Sequence, residues 1–314
     1  MPLFDDLQYF TGLSASDLRR IIASAPARYK HFPIEKKSGG ERIIAQPSRD
    51  LKVLQRYLEE KILSKCSIHG SATAYKLGSS IKLNAAPHSR KRVIIKSDFK
   101  DFFHSIRPID WKNYAKTRLP HLSVEDVDIC VRILFWGRGT SKPTCLSIGA
   151  PTSPIVSNLI MFDLDEILTR SAEKIDAVYT RYADDITLSA DNIETALLLE
   201  KQLKTAISRS KSPKLVFNEE KRGLFTKAHR RHVTGLNITP NGELSIGRDR
   251  KRMISSMVHK YSIGELSLED TGKLKGYLAF SLDCEPEFHL RMRKKYGEKV
   301  VSTIQSLHIP KRER

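Results

Sequence analysis

Two hydrophobic periodicities run along this chain, and together they predict a mixture of helices and strands. Apolar residues that recur every three or four positions indicate amphipathic helices. The predicted helices cover residues 14–25, 50–65, 123–136, 153–175 and 193–210. In the second of them a single stripe is formed by Leu51, Leu54, Leu58, Ile62 and Leu63. Such a stripe is the face that a helix buries against its neighbours.

Shorter runs rich in β-branched and aromatic residues predict strands. These runs cover residues 30–48 (two strands around a Gly-Gly turn), 91–99, 178–182 and 186–190, with strand-like pieces at 214–221 and 231–238. The stretch "VYTRYADDITLSA" contains two of these runs and predicts a hairpin with Asp184 and Asp185 at its tip. From about Arg248 onward the pattern changes to helices rich in Lys and Arg, which predicts a separate helical region.

The charge balance distinguishes this chain from an average soluble protein. Its 314 residues include 54 Lys and Arg but only 36 Asp and Glu, which gives a net charge of +18. Such an excess favours a polyanionic partner, because each phosphate that is neutralised releases condensed counterions. A membrane partner is disfavoured, since no apolar run approaches the ~20 residues that span a bilayer. Charge alone does not separate RNA from DNA.

The N-terminus and the cysteines indicate a cytoplasmic protein. The opening "MPLFDDLQYFTGL" has no basic segment before an apolar stretch, which argues against a secretory signal. The four cysteines are far apart and lack zinc-site spacing, so reduced thiols are the simplest interpretation.

Aspartates at the ends of predicted strands are the main candidates for chemistry. Asp98 ends the strand "RVIIKSD", and Asp184 and Asp185 lie between two strands. If these segments are neighbours in one sheet, three carboxylates converge at one end of it. Carboxylates that close repel one another unless cations balance them, and Mg²⁺ ions with oxygen ligands do so in nucleotidyl transfer. The alternative is an ordinary turn, because Asp accepts turn dihedral angles and bonds its own backbone.

Five stretches resemble motifs of reverse transcriptases, in the order of that family. "YADD" (182–185) is similar to the Y-x-D-D signature, and "SDFKDFF" (97–103) to the first palm motif. The other three are "LSIGAPTSPIVSN" (146–158), "GGERIIAQPSRDLKVLQRYLEEKIL" (39–63) and "FNEEKRGLF" (217–225). The resemblance covers roughly residues 35 to 240.

Two further stretches resemble elements typical of bacterial retron reverse transcriptases. "NAAPH" (84–88) is similar to their N-A-x-x-H element, and "VTG" (233–235) to their V-T-G element. The alternatives are a free-standing relative of group II intron or diversity-generating enzymes and, in a different class, a non-catalytic RNA-binding scaffold. The scaffold predicts the loss of at least one metal-binding aspartate, yet all three are present.

The resemblance implies an α+β, right-hand polymerase fold, with fingers and palm around an antiparallel sheet and a helical thumb. Residues 1–97 would form an N-terminal helix and the fingers. Residues 98–240 would form the palm with interleaved fingers helices, and residues 241–314 the basic thumb. The implied activity is RNA-directed DNA synthesis from dNTPs.

The resemblance also implies roles for the acidic site. Asp98, Asp184 and Asp185, with the carbonyl of Phe99, would bind two Mg²⁺ ions. Lys221 matches a lysine that protonates the leaving pyrophosphate. Its competitor for that role is the neighbouring Arg222, while Asp101 is expected to be structural.

Four residues are expected at the nucleotide. Lys37 and Arg42, on the hairpin predicted over residues 30–48, would bind the triphosphate. Phe103 matches the steric gate that rejects a ribonucleotide 2′-OH, whereas Phe102 suits a core position. Gly149 would permit close approach to the nucleotide or template. Ile148 departs from the family, in which glutamine is common, and predicts altered fidelity or processivity.

The remaining implied roles concern RNA. Asn84 and His88 would position RNA or serve a structural purpose, and a second element would lie beside the primer. That element consists of Val233, Thr234 and Gly235. The residues expected to contact phosphates are Arg250, Arg252, Arg291, Arg293 and Lys294. Tyr261, Tyr277 and Tyr296 are candidates for stacking on unpaired bases.

A retron enzyme is expected to copy its own structured non-coding RNA. Synthesis would start from an internal guanosine 2′-OH and give a branched RNA–DNA molecule (msDNA). The resemblance implies a role in anti-phage defence beside an effector protein. The sequence identifies neither that effector nor the oligomeric state.

Overall fold

The computed structural model describes residues 2–36 and 39–308 of the chain. The helices in this part are α1 (Leu3–Thr11), α2 (Ala15–Ser24), α3 (Arg49–Lys61), α4 (Ile81–Ala85), α5 (Phe102–Ser105), α6 (Pro108–Arg118), α7 (Val124–Leu134), α8 (Ser153–Ile160), α9 (Phe162–Glu173), α10 (Ile193–Arg209), α11 (Arg248–Ser262), α12 (Leu268–Cys284), α13 (Pro286–Tyr296) and α14 (Glu298–Ser306). The strands are β1 (Tyr29–Glu35), β2 (Glu41–Pro47), β3 (Val93–Asp98), β4 (Val178–Tyr182), β5 (Asp185–Ala190), β6 (Gly223–Phe225), β7 (Arg231–Val233), β8 (Leu236–Ile238) and β9 (Leu244–Ser245).

Four of the five helices predicted from apolar stripes, those over residues 14–25, 50–65, 123–136 and 193–210, are confirmed with small changes at their ends. In α3 the stripe of Leu51, Leu54 and Leu58 is buried. Polar caps begin several helices where the sequence places them: Ser14 accepts a hydrogen bond from the Asp17 amide at the start of α2. The caps explain why these helices begin where their apolar periodicity begins.

One predicted helix differs from the structure. The sequence predicts a single helix over residues 153–175, but the structure divides it into α8 and α9 at Met161. The ψ angle of Met161 is −6°, outside the range of a regular helix. Because the apolar pattern continues across the break, periodicity alone could not place it.

Residue contacts divide the chain into two compact units, each with its own sheet. The first unit comprises residues up to 79 and residues 95–224. Its four-stranded antiparallel sheet has the order β4-β5-β3-β6. Helix α9 packs on β4, and α10 packs on β5. The residues of β3 are almost all buried, as expected for an apolar strand inside a sheet.

The first unit also contains the hairpin predicted around Gly39 and Gly40. β1 and β2 pair from Tyr29 opposite Pro47 to Glu35 opposite Glu41. We call this pair of strands the basic hairpin. Gly39 and Gly40 both have positive φ angles, 83° and 79°, which is why glycines occur there.

The second unit comprises residues 80–94 and the residues from 225 onward. Helices α11 to α14 and the antiparallel sheet β7-β8-β9 surround one apolar core. That core contains Ala85, Ile94, Val233, Leu236, Ile254, Val258, Leu274, Leu278, Phe288, Val301 and Ile304. The predicted C-terminal helices are confirmed. The three-part division at residues 97 and 240 stays a prediction.

Within residues 2–36 and 39–308, none of the helices combines the length and the apolarity that crossing a bilayer requires.

Candidate active site

The three aspartates predicted as metal ligands lie at one end of the central sheet. Asp98 is the last residue of β3, and Asp185 is the first residue of β5, paired with Tyr182. Asp184 lies in the turn between β4 and β5, and the Phe99 amide donates to its carbonyl oxygen at 3.3 Å. Because β3 and β5 are neighbours in the sheet, the fold brings these carboxyl groups together. We call residues Tyr182–Asp185 the Asp-Asp turn.

The electrostatics of this cluster reflect its burial and, after that, its excess of negative charge. Burial, followed by the charges of Asp98 and Asp185, raises the pKa of Asp184 to about 6. The pKa of Asp185 is also raised, mainly by burial. Both shifts mean that the folded protein resists ionising these groups. A cation bound between them would remove that resistance.

Lys221 provides one positive charge at the cluster. Its Nζ donates to Asp98 Oδ2 at 2.7 Å, and this bond is the main cause of the raised pKa of Lys221. The neighbouring Arg222 instead forms two hydrogen bonds with Glu200, at 2.7 and 2.8 Å. The structure therefore brings Lys221, and not its competitor Arg222, to the aspartates.

The donor set fits a hard divalent cation, although the site is not shaped around one here. Among residues 2–36 and 39–308, no group of three or more His, Cys, Asp and Glu side chains is arranged to hold a metal ion. The ammonium of Lys221 contacts Asp98 in this arrangement. Clustered carboxylate oxygens are nevertheless the ligands that Mg²⁺ prefers.

The two phenylalanines after Asp98 have different environments. Phe102 is buried and stacks on Phe99, with ring centroids 5.8 Å apart. Phe103 is only partly buried, and its ring lies 6.4 Å from that of Tyr75. This division matches the expected core and gate positions, and the gate role itself stays a prediction.

Tyr75 is a site residue that sequence reasoning missed. Its φ angle is 59°, rare for an aromatic residue. Burial raises the pKa of its hydroxyl, with a further contribution from the charge of Asp184. A run of small residues, "SATA" (71–74), lets this segment lie against β4, where the Thr73 amide donates to the Arg181 carbonyl at 2.8 Å. The signal in the sequence that could have identified Tyr75 is an aromatic residue directly after this run of small residues.

Gly149 makes its close approach to the basic hairpin. Its φ angle is 126°, and a Cβ there would lie 2.9 Å from the Ala45 carbonyl oxygen. The Ala45 amide donates to the Ile148 carbonyl at 2.8 Å, which fastens this loop to β2. Arg42 lies exposed on the same strand, and Lys37 falls outside the described residues. Contact of Gly149 with a nucleotide stays a prediction.

The "NAAPH" and "VTG" stretches meet within the second unit. Asn84 Nδ2 donates to Thr234 Oγ1 at 3.2 Å, and Thr234 Oγ1 donates to the Ile81 carbonyl at 3.2 Å. Thr234 and Gly235 both have positive φ angles and form the two-residue turn between β7 and β8, after the buried Val233. Asn84 and His88 are fully buried.

The burial of His88 bears on the roles weighed for it. Burial lowers its pKa to about 3, so the imidazole is neutral at physiological pH and a poor proton acceptor. The contacts of Asn84 join two segments of the second unit. A structural role is thus supported for both, and an effect on RNA stays a prediction.

Comparison with known proteins identifies the family. The family model described as "Reverse transcriptase (RNA-dependent DNA polymerase)" matches residues 34–238. The chain is 37% identical to the retron Ec83 reverse transcriptase of Escherichia coli, over 92% of this chain and 93% of the relative. The chain belongs to the retron reverse transcriptases. It is therefore an RNA-directed DNA polymerase, as the motifs predicted, rather than a non-catalytic scaffold.

Other relatives of this retron reverse transcriptase agree. The retron Ec73 enzyme of Escherichia coli is 33% identical, over 98% of this chain and 97% of the relative. The retron Mx65 enzyme of Myxococcus xanthus is 30% identical, over 90% of this chain and 68% of the relative. Apo telomerase from Candida tropicalis has a TM-score of 0.50 at 12% identity, over 91% of this chain and 59% of that chain. The α+β right-hand fold is confirmed.

The basic residues predicted to contact nucleic acid lie on α11 and α13 of the second unit. Arg250 lies over the Phe280 ring at 5.1 Å, and Arg252 and Lys294 are exposed. Arg291 lies 3.6 Å from Glu285, and Arg293 forms an ion pair with Glu298.

An open cavity of about 1120 Å³ in this unit is lined by Thr234, Gly235, Arg250, Lys273, Tyr277 and Phe280. Tyr296, which the sequence offers as a candidate for stacking on a base, forms a hydrogen bond with Ser255 through their hydroxyls, at 2.9 Å.

Proposed function

We propose that this retron reverse transcriptase copies its own structured RNA from an internal guanosine 2′-OH and so makes branched RNA–DNA. The observation that carries the polymerase site is the cluster of Asp98, Asp184 and Asp185 with Lys221 at one sheet end. The retron-type initiation is supported by the second unit, where Asn84 bonds Thr234 beside a cavity with basic and aromatic walls.

The aspartates and Lys221 divide the work of nucleotidyl transfer. Asp98, Asp184 and Asp185, with the Phe99 carbonyl, would hold two Mg²⁺ ions. The chemistry that these ions would supply is activation of the attacking hydroxyl and neutralisation of the triphosphate. Lys221 carries a proton on Nζ at physiological pH, as lysines ordinarily do, and donates it to the leaving pyrophosphate. Its bond to Asp98 keeps Nζ at the site.

Selection of the nucleotide falls to the residues around the cluster. Arg42, with Lys37, binds the triphosphate of the incoming dNTP. Phe103 lies under the sugar and excludes a 2′-OH, with Tyr75 beside it. Gly149 keeps the loop before α8 against the basic hairpin, which sets the distance between the two.

Contacts with RNA belong to the second unit. Arg250, Arg252 and Lys294 bind phosphates, and Tyr277 offers a ring to an unpaired base in the cavity that it lines. The enzyme acts in the cytoplasm, in anti-phage defence beside an effector protein, and its msDNA is the product on which that role depends.

The test is to express the gene with its upstream flanking DNA and to extract small nucleic acids. The wild type is expected to give a short DNA that shifts on RNase treatment and again on 2′,5′-debranching. Asp184→Asn and Asp185→Asn are expected to give none, because each removes one carboxylate from the cation site. Their RNA binding should stay within about twofold of the wild type, since phosphate contacts lie elsewhere.

Two outcomes contradict parts of this proposal. If the wild type gives no branched product but extends a primer on an RNA template, the polymerase assignment holds and the retron-type initiation is wrong. If either aspartate variant still polymerises, the assignment of the metal ligands is wrong.

A further inference from the structure

A buried ion pair lies directly beneath the Asp-Asp turn. The side chains of Arg181 on β4 and Asp165 on α9 are both completely inaccessible to solvent. Arg181 Nη2 lies 2.6 Å from Asp165 Oδ2, and Nε lies 2.9 Å from Oδ1. The Tyr179 hydroxyl adds a third hydrogen bond to Asp165, at 2.7 Å to Oδ1. The carboxylate is thus fixed from two strand positions.

The remaining nitrogen of the guanidinium reaches the turn itself. Arg181 Nη1 donates to the Ala183 carbonyl at 3.0 Å. Ala183 has a φ angle of 61°, the left-handed conformation that an alanine rarely adopts. It immediately precedes Asp184, so its conformation sets the direction in which the two aspartates leave the strand. A bond to this carbonyl stabilises the conformation that the turn needs.

The backbone of Arg181 extends the connection to the segment that carries Tyr75. Its amide donates to the Ser71 carbonyl at 2.9 Å, and its carbonyl accepts from the Thr73 amide at 2.8 Å. The guanidinium also lies 6.0 Å from the centre of the Phe102 ring. One residue therefore touches both the Asp-Asp turn and the segment leading to Tyr75.

Stability alone does not account for this arrangement. Removing two charges from water is costly, and apolar residues of similar volume often give equal or greater stability. Other ion pairs of α9, such as Arg118 with Asp163, lie at the surface, where this penalty is small. A fully buried guanidinium is useful here because its planar fork donates in several fixed directions at once.

We propose that Arg181, held by Asp165, is a positioning residue for polymerisation that fixes the Asp-Asp turn in its left-handed conformation. This inference rests on the proposed role of Asp184 and Asp185. Arg181 touches neither substrate nor metal ion in this scheme and acts through the Ala183 carbonyl.

The test replaces the guanidinium of Arg181, which donates in several directions, with an ammonium that keeps the positive charge. Arg181→Lys retains the ion pair with Asp165, but one ammonium on a shorter side chain cannot also reach Ala183. Hydrogen exchange of residues 182–185, measured without divalent metal, is expected to rise about tenfold. In primer extension kcat should fall by about tenfold to a hundredfold, while the KM for dNTP and RNA affinity stay within about twofold.

Two control variants separate positioning from loss of stability. Arg118→Lys changes a surface ion pair with Asp163, which lies on α9 as Asp165 does. This variant should leave the hydrogen exchange of residues 182–185 and kcat unchanged. Leu168→Ala removes a buried side chain of α9 that lies outside the Asp-Asp turn, and it is expected to lower the overall stability of the protein. At a temperature where Arg181→Lys and Leu168→Ala both stay folded, Leu168→Ala should show neither the faster hydrogen exchange of residues 182–185 nor the fall in kcat.

The outcomes are distinguishable. Unchanged exchange and kcat in folded Arg181→Lys would overturn the proposal, and so would an equal effect of Leu168→Ala. If Arg181→Lys does not fold, the apolar pair Asp165→Leu with Arg181→Met removes the fork without leaving a buried charge, and the same changes are expected. If Asp184→Asn still polymerises, the site assignment fails while the exchange result still decides the role of Arg181.

Discussion

Asp184 is a residue whose proposed chemistry opposes its contribution to stability. Burial, with Asp98 and Asp185, raises its pKa from 3.8 to about 6. The folded protein therefore binds a proton there more tightly than the unfolded chain does. The stability from this preference is fully present below about pH 4 and is lost as the pH rises through about 6. At neutral pH the ionised carboxylate weakens the fold of the metal-free protein.

Asp184→Asn is therefore expected to stabilise the metal-free protein while it abolishes polymerisation. At about pH 8 we expect a gain of about 1–3 kcal/mol in the free energy of unfolding, and almost none at about pH 4. Urea unfolding at the two pH values, without divalent cations, measures the difference.

The matched control is Asp101→Asn. Asp101 is an exposed carboxylate close in sequence to the cluster, and asparagine tolerates its positive φ angle of 45°. In the Asp101→Asn variant the free energy of unfolding should change by less than about 0.5 kcal/mol at either pH. If Asp184→Asn behaved like this control at the higher pH, the raised pKa that burial and the neighbouring aspartates give Asp184 would be wrong.

Residues of the site differ in how far the sequence could predict them. The aspartates follow from strand ends and from the motif. The choice between Lys221 and Arg222 does not, because both are basic and adjacent. It depends on Glu200 of α10, which binds Arg222 from a distant part of the chain. Such a partner cannot be read from local spacing.

Arg181 was not predicted, for a related reason. An arginine inside the apolar strand "VYTRY" reads from the sequence as a polar position on a half-exposed face. Its burial depends on Asp165, sixteen residues earlier on another element. The detectable signal was a charged residue inside a run of strand-forming residues, "VYTRY".

At the scale of elements, the loop before α8 is fixed to the basic hairpin by a contact that only glycine allows. Gly149→Ala places a Cβ 2.9 Å from the Ala45 carbonyl and 3.2 Å from Ile44, at a φ angle of 126°. We expect a loss of about 2–4 kcal/mol in the free energy of unfolding, measured in urea, and reduced dNTP affinity because the hairpin must shift.

Gly139→Ala separates strain from the clash. Gly139 also has a positive φ angle, 93°, but a Cβ there meets nothing within 4 Å. This variant should lose only about 1–2 kcal/mol, with unchanged nucleotide use. Equal losses in the two variants would show that the contact with the hairpin adds nothing.

Prediction of the elements succeeded where the signal was local. Apolar stripes and caps gave the long helices, and the Gly-Gly turn gave the basic hairpin. Short pieces such as α4 and β9 have too few residues for a period to appear. The second unit is built from two separate parts of the chain, so its composition depends on contacts between residues 80–94 and the C-terminal region.

At the scale of the whole molecule, a net charge of +18 makes binding to nucleic acid depend on salt. Each phosphate contact releases counterions and adds about 0.7 to 0.9 to the slope of log affinity against log salt concentration. The charge count does not reveal which basic residues make these contacts. The structure separates exposed cations from those that already have a carboxylate partner.

Arg252 and Arg293 provide a matched pair for this distinction, one on α11 and the other on α13. Arg252 is exposed, whereas Arg293 forms an ion pair with Glu298. Arg252→Gln should reduce the salt slope by about 0.7 to 0.9, in titrations of a structured RNA at several salt concentrations. Arg293→Gln should reduce it by less, because its charge is already partly neutralised in the free protein. Equal slopes for Arg252→Gln and the wild type would show that Arg252 makes no phosphate contact, and the contacts of α11 would then fall to Arg250.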